Sequence, residues 1–298
     1  MQAPYAKMQS TLDLQDLETI LALQRGRTLA GAAERLKVDT STVFRAIKRI
    51  EKEIGELLFD RSRQGYTATE LGRELAGHAE RIEIQLEEAR EAAFNQAAEP
   101  SGLLRITLTD TLLHSVLLPV LARFTTAYPQ IQLELVTTNV LANLSQREAD
   151  IAIRVTNAPP EHLVGIRLGT MRSAVYAGKD YLAAQAEGRH YGEMDWIALD
   201  DSLPHHPSQH WRRAAFPKLA PRHKAGNLLA VAGAVVNNLG VGIVPLAVLR
   251  AHPQVVMLDG PLPELDIGLW LLAHPDTRTL GRMKAMFDFL RSAIDLPA

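Results

Sequence analysis

The chain has 298 residues, 47% of them hydrophobic and 22% charged, which is typical of a folded protein of about two domains and excludes a disordered chain. The formal net charge of −2 excludes a uniformly basic protein, so any nucleic-acid contact must come from a local patch. The absence of cysteine excludes disulfides and thiolate chemistry, and the first ten residues lack a signal-peptide pattern, so we expect a cytoplasmic protein.

Three short helices are predicted between residues 12 and 54. Asp13 is a suitable cap for the first helix, which Gly26 can end, and Thr28 is a suitable cap for the second. The tight connection "KVDT" then leads into a third helix, which Asp39 or Thr40 can cap. The N-terminal part is therefore expected to be helical, with its second and third helices joined by a short turn.

The third helix has two stripes on opposite faces. At about 100° per residue, its apolar side chains share one narrow face, and hydroxyls and cations lie almost opposite. The apolar stripe is Val43, Ile47, Ile50 and Ile54, and the polar stripe is Ser41, Arg45, Lys48 and Lys52. We expect the apolar stripe to face a core, whereas the polar stripe suits water, an acidic partner or nucleic acid.

A hairpin with a basic tip is predicted after Gly55, where the β-prone runs "LLFDR" and "YTAT" are joined by "SRQG". Two helices joined by a tight turn and followed by a hairpin make a winged helix-turn-helix, whose second helix enters the major groove of DNA. Hydroxyls at the start of that helix can reach bases or phosphates, and cations can pair with phosphates. The predicted DNA-binding side chains are Thr28, Thr40, Ser41, Thr42, Arg45, Lys48, Arg49, Arg61 and Arg63.

A long helix predicted over residues 69–97 is rich in alanine, glutamate and arginine and contains no proline. Its apolar positions recur at alternating spacings of four and three residues, which is the seam of a coiled coil that one helix alone cannot bury. The pattern predicts a dimer, and the alternative is a helix lying on its own domain. The seam residues are Leu75, Ala79, Ile82, Leu86, Ala89 and Ala93.

The segment "EPSG" at residues 99–102 is typical of a hinge, and strands and helices alternate after it. The runs "LLRITLT", "IQLELVT" and "DIAIR" predict strands, with helices at "LHSVLLPVLARFTTAY" and "LANLSQREA", which is the βαβ order of a mainly parallel sheet. Further strands are expected at "AVYAG", "DWIAL", "VGIV" and "GLWLLA". A terminal helix over residues 279–294 is expected to bury Leu280, Met283, Met286, Phe287 and Leu290.

The most apolar stretch, residues 228–249, raises the question of a membrane span. Asn237 and Asn238 in its middle and Pro245 near its end would interrupt a spanning helix. The sequence favours a buried helix ending near Gly240, a short strand and a further helix after Pro245.

Neither a metal site nor an enzyme is predicted. In "LPHHPSQHW" the side chains of His205, His206 and His210 suggest a metal, but Pro207 interrupts any helix that would align His206 with His210, and a loop is expected there. No Walker loop, GxSxG elbow or HExxH motif is present, and the pair at residues 200–201 is more easily a turn than a catalytic dyad. We therefore expect no cofactor.

The sequence resembles a known family, the LysR-type transcriptional regulators. The residues that support the likeness are "LAGAAERLKVDTSTVFRAIKRIEKEIGELLFDR", then "TATELG" leading into the long helix. It continues through "LPVLARFTTAYPQIQLEL", "ADIAIR" and "GVGIVP", so it extends over nearly the whole chain from Leu12 onward.

The resemblance implies an α+β winged helix-turn-helix domain over residues 10–68, a dimerising linker helix over 69–98 and an effector-binding domain over 101–298. That last domain would be an α/β fold like a type II periplasmic binding protein, with two subdomains around a cleft. The expected subdomain I is 103–176 with 272–298, and subdomain II is 177–271.

The effector cleft is expected at "TDTLLHS", where a strand ends and a helix begins, because free amides at such a place suit an anion. Arg154 suits either a carboxylate clamp or an ordinary salt bridge. Asp110 would repel an anionic effector unless a cation offsets it. With the positions that the resemblance implies, the ligand-binding set is Asp110, Thr111, Thr137, Thr138, Asn139, Arg154 and Ser202.

The sequence departs from the family at the third helix, which lacks the usual serine, glutamine and proline at its start. Phe44 replaces the usual serine before Arg45, and it can either touch a thymine methyl group or pack against the wing or the first helix.

The partners that the resemblance implies are an inverted-repeat DNA operator, a small effector such as an organic acid, and further copies of the chain in a homodimer or homotetramer. RNA polymerase is a candidate partner, and a membrane is not expected. The alternative function is a small-molecule-binding protein or enzyme that uses the bilobed domain and keeps the N-terminal helices for oligomerisation.

Overall fold

The computed structural model describes residues 12–63, 65–94, 99–138 and 149–296. These residues divide into two compact units, residues 12–94 and residues 99–296. The predicted helix "LANLSQREA" lies outside the described residues apart from its last alanine.

The N-terminal unit begins with the three predicted helices, and side chains cap the first two. Asp13 Oδ1 accepts a hydrogen bond from the Asp16 amide at 2.9 Å, and Thr28 Oγ1 accepts one from the Gly31 amide at 3.0 Å. Asp39 precedes the third helix without a side-chain capping bond. The helices are α1 (Leu14–Gly26), α2 (Leu29–Leu36) and α3 (Thr40–Ile54).

The apolar stripe of α3 lies in the core of this unit, as its spacing predicts. Val43, Ile47 and Ile50 are buried together with residues of α1 and α2, and the half-buried Ile54 packs against the same cluster. This burial fixes the polar stripe on the outside because the two stripes occupy opposite faces of one helix.

The predicted hairpin follows as β1 (Phe59–Ser62) and β2 (Gly65–Ala68), an antiparallel pair that we call the wing. The Tyr66 amide donates to the Arg27 carbonyl at 2.8 Å, which joins the wing to the connection between α1 and α2. Gly65 has φ of +124°, and a Cβ there would stand 2.3 Å from that carbonyl oxygen, so the contact requires glycine. The long helix α4 (Glu70–Phe94) follows the wing.

The second unit contains two five-stranded sheets. In the first sheet, with strand order β4-β3-β5-β12-β6, β3 pairs in parallel with β4 and β5, while β12 runs antiparallel to β5 and β6. Its strands are β3 (Gly102–Leu108), β4 (Ile131–Thr137), β5 (Ile151–Val155), β6 (Val164–Met171) and β12 (Ile267–Ala273).

The second sheet has the strand order β11-β7-β10-β8-β9. Within it β10 pairs in parallel with β8 and antiparallel with β7. Its strands are β7 (Ser173–Gly178), β8 (Trp196–Leu199), β9 (His223–Ala225), β10 (Val241–Pro245) and β11 (Val255–Asp259).

The expected subdomain limits differ from these sheets at both crossings. All of β7 belongs to the second sheet and all of β12 to the first, whereas the expected limits divided both strands. The chain passes from the first sheet to the second in the connection before Ser173, and it returns to the first sheet in the connection before Ile267.

The helix predicted after β3 forms with one interruption. The helix after β3 consists of α5 (Asp110–Leu112), a π-helical turn (Leu113–Leu117) and α6 (Leu118–Ala127). Pro119, in the first turn of α6, has no amide hydrogen to donate, so a regular α-helical ladder cannot pass through it. The remaining helices are α7 (Lys179–Ala183), α8 (Pro207–Ala215), α9 (Leu228–Val236), α10 (Leu246–Leu249) and α11 (Gly281–Ala293). Of these helices, α7 and α8 were not predicted.

The apolar segment from residue 228 forms α9, β10 and α10, which confirms the prediction of a buried helix, strand and helix. Within the described part of the chain, no helix combines the length and the apolar character needed to cross a bilayer. The terminal helix α11 buries Met283, Met286, Phe287 and Leu290, as predicted.

Candidate nucleic-acid interface and effector cleft

The outer face of α3 presents hydroxyls at its start and cations further along. Each predicted DNA-binding residue of the N-terminal unit is exposed, and several have defined contacts inside the unit. The exposed set is Thr28, Thr40, Ser41, Thr42, Arg45, Lys48, Arg49, Arg61 and Arg63.

Lys48 and the buried Glu51 join α3 to the wing. One Glu51 oxygen accepts from the Leu58 and Phe59 amides at 3.0 and 3.4 Å, and the other accepts from Lys48 Nζ at 2.8 Å. The carboxylate is therefore satisfied at the base of the wing, while just over half of the Lys48 side chain stays exposed. Sequence reasoning placed Lys48 in the polar stripe but missed its carboxylate partner, because Glu51 itself lies between the two stripes.

Arg49 has a structural role that its place on α3 did not indicate. Its guanidinium binds the carboxylate of Asp16 in α1, and Nη1 lies 3.3 Å from Glu53. The hydrogen bond to Asp16 raises the pKa of Arg49 above its usual value. Since the Asp16 side chain is only 3% exposed, the ion pair compensates a buried charge and fixes α3 against α1.

Arg45 and Arg61 present their charges at the surface of the unit. Arg45 Nε donates to the Ser41 carbonyl at 3.2 Å, one helical turn earlier. On the wing, the Arg61 guanidinium lies 5.9 Å from the centre of the Tyr66 ring, within reach of a cation–π contact. These contacts orient the two arginines without neutralising them.

Phe44 forms one wall of an open pocket between α3 and the wing, with a volume of about 140 Å³. Its ring remains 39% exposed. Packing towards the wing, one of the two roles considered for this residue, is therefore only part of its environment. The pocket is lined by Leu29, Phe44, Ile47, Lys48, Glu51, Phe59, Arg61 and Tyr66.

The predicted seam of α4 divides into two parts. Leu75 is half-buried and Ala79 is only 4% exposed, and both pack against the core of their own unit. Ala79 is therefore not available to a partner helix, which corrects its place in the predicted dimer seam, whereas the place of Leu75 in that seam stays a prediction. The other seam residues are exposed, namely Ile82, Leu86, Ala89 and Ala93.

The predicted cleft residues Asp110 and Thr111 lie in α5, which belongs to the lobe built on the first sheet, and α5 contacts α9 of the lobe built on the second sheet. Thr109 Oγ1 caps α5 by accepting from the Leu112 amide at 3.3 Å, and Asn227 Oδ1 caps α9 by accepting from the Ala230 amide at 2.8 Å. Of the predicted cleft residues, Asp110 is half-buried and Thr111 is 7% exposed. Asn227 was missed, although an asparagine before an apolar run is an ordinary helix-cap signal.

Arg154 braces the ends of neighbouring strands in the first lobe. It donates to the Thr138 carbonyl at 2.9 Å and to Thr107 Oγ1 at 2.8 Å, and the residue is 5% exposed. Burial lowers the pKa of Arg154 to about 10. The two roles considered for Arg154 were a carboxylate clamp and an ordinary salt bridge. These bonds to a carbonyl and a hydroxyl belong to neither role. The first bond holds Thr138, which follows the exposed Thr137 at the end of β4, while Asn139 lies outside the described residues.

On the second lobe, Ser202 lies in a turn after β8. Its amide donates to Asp200 Oδ1 at 2.9 Å, and its hydroxyl binds the same oxygen. The hydrogen bonds from Ser202 lower the pKa of Asp200. The interpretation of Asp200 and Asp201 as a turn is thus confirmed, and Asp201 pairs with Lys224 at 3.1 Å.

The three histidines were expected in a loop, but the structure divides them: His205 lies in a turn, His206 directly precedes α8, and His210 lies within α8. Pro207 occupies the first turn of α8, where a proline fits because no amide hydrogen is needed. His206 is the N-terminal cap of α8. His206 Nδ1 accepts from the Ser208 amide at 3.2 Å, and burial lowers the pKa of His206 to about 4. Across the described ranges, no group of three or more histidine or acidic side chains is arranged to hold a metal ion.

Known proteins are similar to this chain in sequence and in fold. A transcriptional regulator of helix-turn-helix type from Xanthomonas campestris pv. campestris is 32% identical over 186 residues, covering 62% of this chain and 54% of that protein. The chain spans about half the length of the curated relatives that it matches at 32 to 34% identity.

Two solved structures have a similar fold at low sequence identity. A full-length variant of OxyR from Pseudomonas aeruginosa has a TM-score of 0.71 at 18% identity, and the match covers 96% of this chain and 98% of that one. Full-length LysG from Corynebacterium glutamicum with bound effector Arg has a TM-score of 0.63 at 20% identity, covering 96% and 100%.

Family models match both units. The bacterial regulatory helix-turn-helix model of the lysR family matches residues 14–73, which contain α1 to α3 and the wing, and the LysR substrate binding domain model matches residues 97–295. The winged N-terminal unit and the two-sheet second unit thus occur in the order of this family, and the chain belongs to the LysR family of bacterial regulators.

Proposed function

We propose that this protein is a transcriptional regulator that binds double-stranded DNA through α3 and the wing and responds to a small molecule bound between the lobes of its second unit. The observation that carries the proposal is the two-sided character of α3. Val43, Ile47 and Ile50 are buried, which leaves the hydroxyls and cations of the opposite face exposed beside the arginines of the wing. A local cationic face of this kind suits DNA even though the whole chain has a net charge of −2.

In the proposed complex, the first turn of α3 enters the major groove, and Thr40, Ser41 and Thr42 reach base edges or phosphates. Arg45 and Lys48 bind phosphates further along the groove, while Thr28, Arg61 and Arg63 contact the backbone on either side. Arg49 contributes less than its charge suggests, because it is engaged by Asp16 and Glu53.

Two copies of the chain would pair along α4 through the exposed part of the seam, Ile82, Leu86, Ala89 and Ala93. A two-fold dimer presents two α3 helices, which favours an operator with inverted half-sites. A homodimer suffices for this arrangement, and a homotetramer would bind two such operators.

The effector is proposed to be an organic acid or a similarly small polar molecule. Helices α5 and α9, one from each lobe, contact each other, and free amides at helix starts bind carboxylates. The other proposed contacts come from Thr111, Thr137, Thr138 and Ser202, and Arg154 holds Thr138 through its carbonyl. The arginine bound in the LysG structure supports a small charged effector for this fold.

Regulation would follow from closure of the two lobes. An effector that binds the closed form better shifts the population towards it, which changes how lobes pack between subunits and re-aims the paired α3 helices on DNA. The protein would act in the cytoplasm, with RNA polymerase as a further partner, and without catalysis of its own. The alternative, a binding protein or enzyme with N-terminal helices used only for oligomerisation, gives no reason for the exposed cations of α3 and the wing.

Binding to DNA tests the proposal directly. The full-length protein is incubated with sheared bacterial genomic DNA, the retained fragments are sequenced, and affinity for the most enriched duplex is measured at several salt concentrations. We expect an inverted repeat in that duplex and an affinity that falls steeply with salt, because phosphate contacts release counterions. Retention of no particular sequence, together with salt-independent affinity, would favour the alternative.

A further inference from the structure

The ring of Phe44 stands on the face of α3 that is proposed to meet DNA. Residues three and four apart are neighbours on a helix, so Phe44 lies beside Ser41 and Lys48, and Arg45 follows it directly. A phenylalanine residue that is 39% exposed among cations is unusual on a surface built for phosphates. Something apolar in the partner would cover it.

The surroundings of the ring are apolar and held in place. Phe59 and Tyr66 of the wing are in edge-to-face contact at 6.4 Å, and with Leu29 and Ile47 they form the other walls of the pocket beside Phe44. Glu51, the one carboxylate in the pocket lining, is satisfied by Lys48 and two wing amides. The site therefore offers an apolar surface with cations at its border, in an arrangement that does not repel DNA.

The major-groove edges of the bases offer few apolar groups. Guanine, adenine and cytosine present hydrogen-bond donors and acceptors there, and only thymine adds a methyl group, at C5. We propose that Phe44 contacts the C5-methyl group of one thymine in each half-site, which makes it a residue that determines sequence preference. This inference rests on the proposed DNA-binding function and names the base that this part of α3 recognises.

Replacing thymine by deoxyuridine tests the proposal, because the exchange removes the methyl group and leaves the hydrogen-bonding edge unchanged. The probe is the duplex most enriched from genomic DNA by the wild-type full-length protein, with each thymine exchanged in turn. We expect deoxyuridine at one symmetric pair of positions to weaken wild-type binding by about fourfold per half-site, the effect of burying one methyl group. At the same positions, Phe44→Ser should bind the thymine and deoxyuridine duplexes equally.

The control variant is Arg45→Ala, which should weaken binding to both duplexes and keep their ratio, since phosphate contacts do not distinguish the bases. Circular dichroism melting of Phe44→Ser establishes that the variant is folded, and Phe44→Leu, which keeps an apolar side chain, should retain part of the discrimination.

Equal wild-type affinity for every exchanged duplex would overturn the inference while leaving the proposed function intact. Unchanged discrimination in Phe44→Ser would overturn it too and assign the methyl contact to another side chain. Absence of any sequence-selective binding would overturn the proposed function itself.

Discussion

The Arg49 guanidinium on the outside of α3 binds the carboxylate of Asp16, which is buried in α1. The pair joins two helices that are far apart in sequence, and it does so next to the face proposed to contact DNA. A carboxylate removed from water is costly unless a cation and hydrogen bonds compensate it. Arg49 is therefore needed for the stability of the N-terminal unit whether or not it also touches a phosphate.

Arg49→Ala should destabilise the N-terminal unit, because the Asp16 charge would be left buried without its partner. Asp16→Asn in the same background should recover part of the loss, since it removes that charge. Circular dichroism melting of the full-length protein measures both effects on the unfolding of the N-terminal unit. Arg45→Ala is the matched control and should melt like the wild type. An unchanged melting curve for Arg49→Ala would show that the pair contributes nothing to stability.

Arg45→Ala should instead weaken DNA binding at every sequence. Loss of one phosphate contact lowers the slope of log affinity against log salt by about 0.9. Fluorescence anisotropy with the selected duplex at several salt concentrations gives this slope. Lys218→Ala removes an equal charge from an exposed position in the second unit and should leave the slope unchanged. A slope that stays the same in Arg45→Ala would remove this residue from the interface.

Replacement of Ile82 and Leu86 by lysine should split the dimer. Both side chains are exposed in the single chain, and a pair of lysines in the seam would place like charges against each other. Operator affinity should fall as well, because two linked half-site contacts become independent. Multi-angle light scattering measures the mass, with Glu88→Lys as a control that changes the charge by the same amount on a face of α4 away from the seam. The parent mass in the double variant would show that the main dimer contact lies elsewhere.

The sequence periodicity was sufficient to predict the elements that bury one regular stripe. Val43, Ile47 and Ile50 recur at helical spacing, and their burial in the core is the direct consequence. The same reasoning went wrong for Ala79, because a stripe indicates that a face is covered and does not identify the covering surface. Only the fold shows that α1 and its neighbours supply that surface.

Long-range polar contacts could not be predicted from spacing. Asp16 and Arg49 are 33 residues apart, and Arg154 is 47 residues from the Thr107 hydroxyl that it binds. No local pattern connects such residues, since the fold alone brings them together. Pro207 misled in another way, because proline both ends helices and begins them, and the residues after it were not weighed as a helix start.

Stability of the second unit should decrease as the pH falls from about 6.5 to about 4, because burial lowers the pKa of His206 to about 4 while an unfolded histidine titrates near 6.5. In that window the unfolded chain binds the proton and the folded chain does not, so acid favours unfolding. The contribution of His206 to the free energy of unfolding is below about 3 kcal/mol, because its ring is only partly buried.

His206→Asn should reduce this pH dependence, because asparagine also caps a helix but does not titrate in that range. Urea unfolding at pH 5 and pH 7 measures the difference for both proteins. His252→Asn, a change at another histidine of the second unit, is the control and should keep the wild-type dependence. Identical pH dependence in the wild type and in His206→Asn would show that His206 does not cause the loss of stability in acid.

Thr111→Val should weaken effector binding and leave DNA binding without effector intact. Valine keeps the volume of this buried side chain, so a weaker binding free energy reports the loss of the hydroxyl. We expect a loss of about 0.5 to 1.5 kcal/mol for a neutral hydrogen bond and more for a charged one. An effector is first found by thermal-shift screening of small organic acids, and titration calorimetry then compares the variant with the parent. Thr125→Val, the same exchange at an exposed position of α6, should bind the effector normally. Equal affinity in Thr111→Val would move the proposed site away from Thr111, with Thr138 and Ser202 as the next residues to exchange. A loss of DNA binding in the variant would mean that the exchange had unfolded the unit.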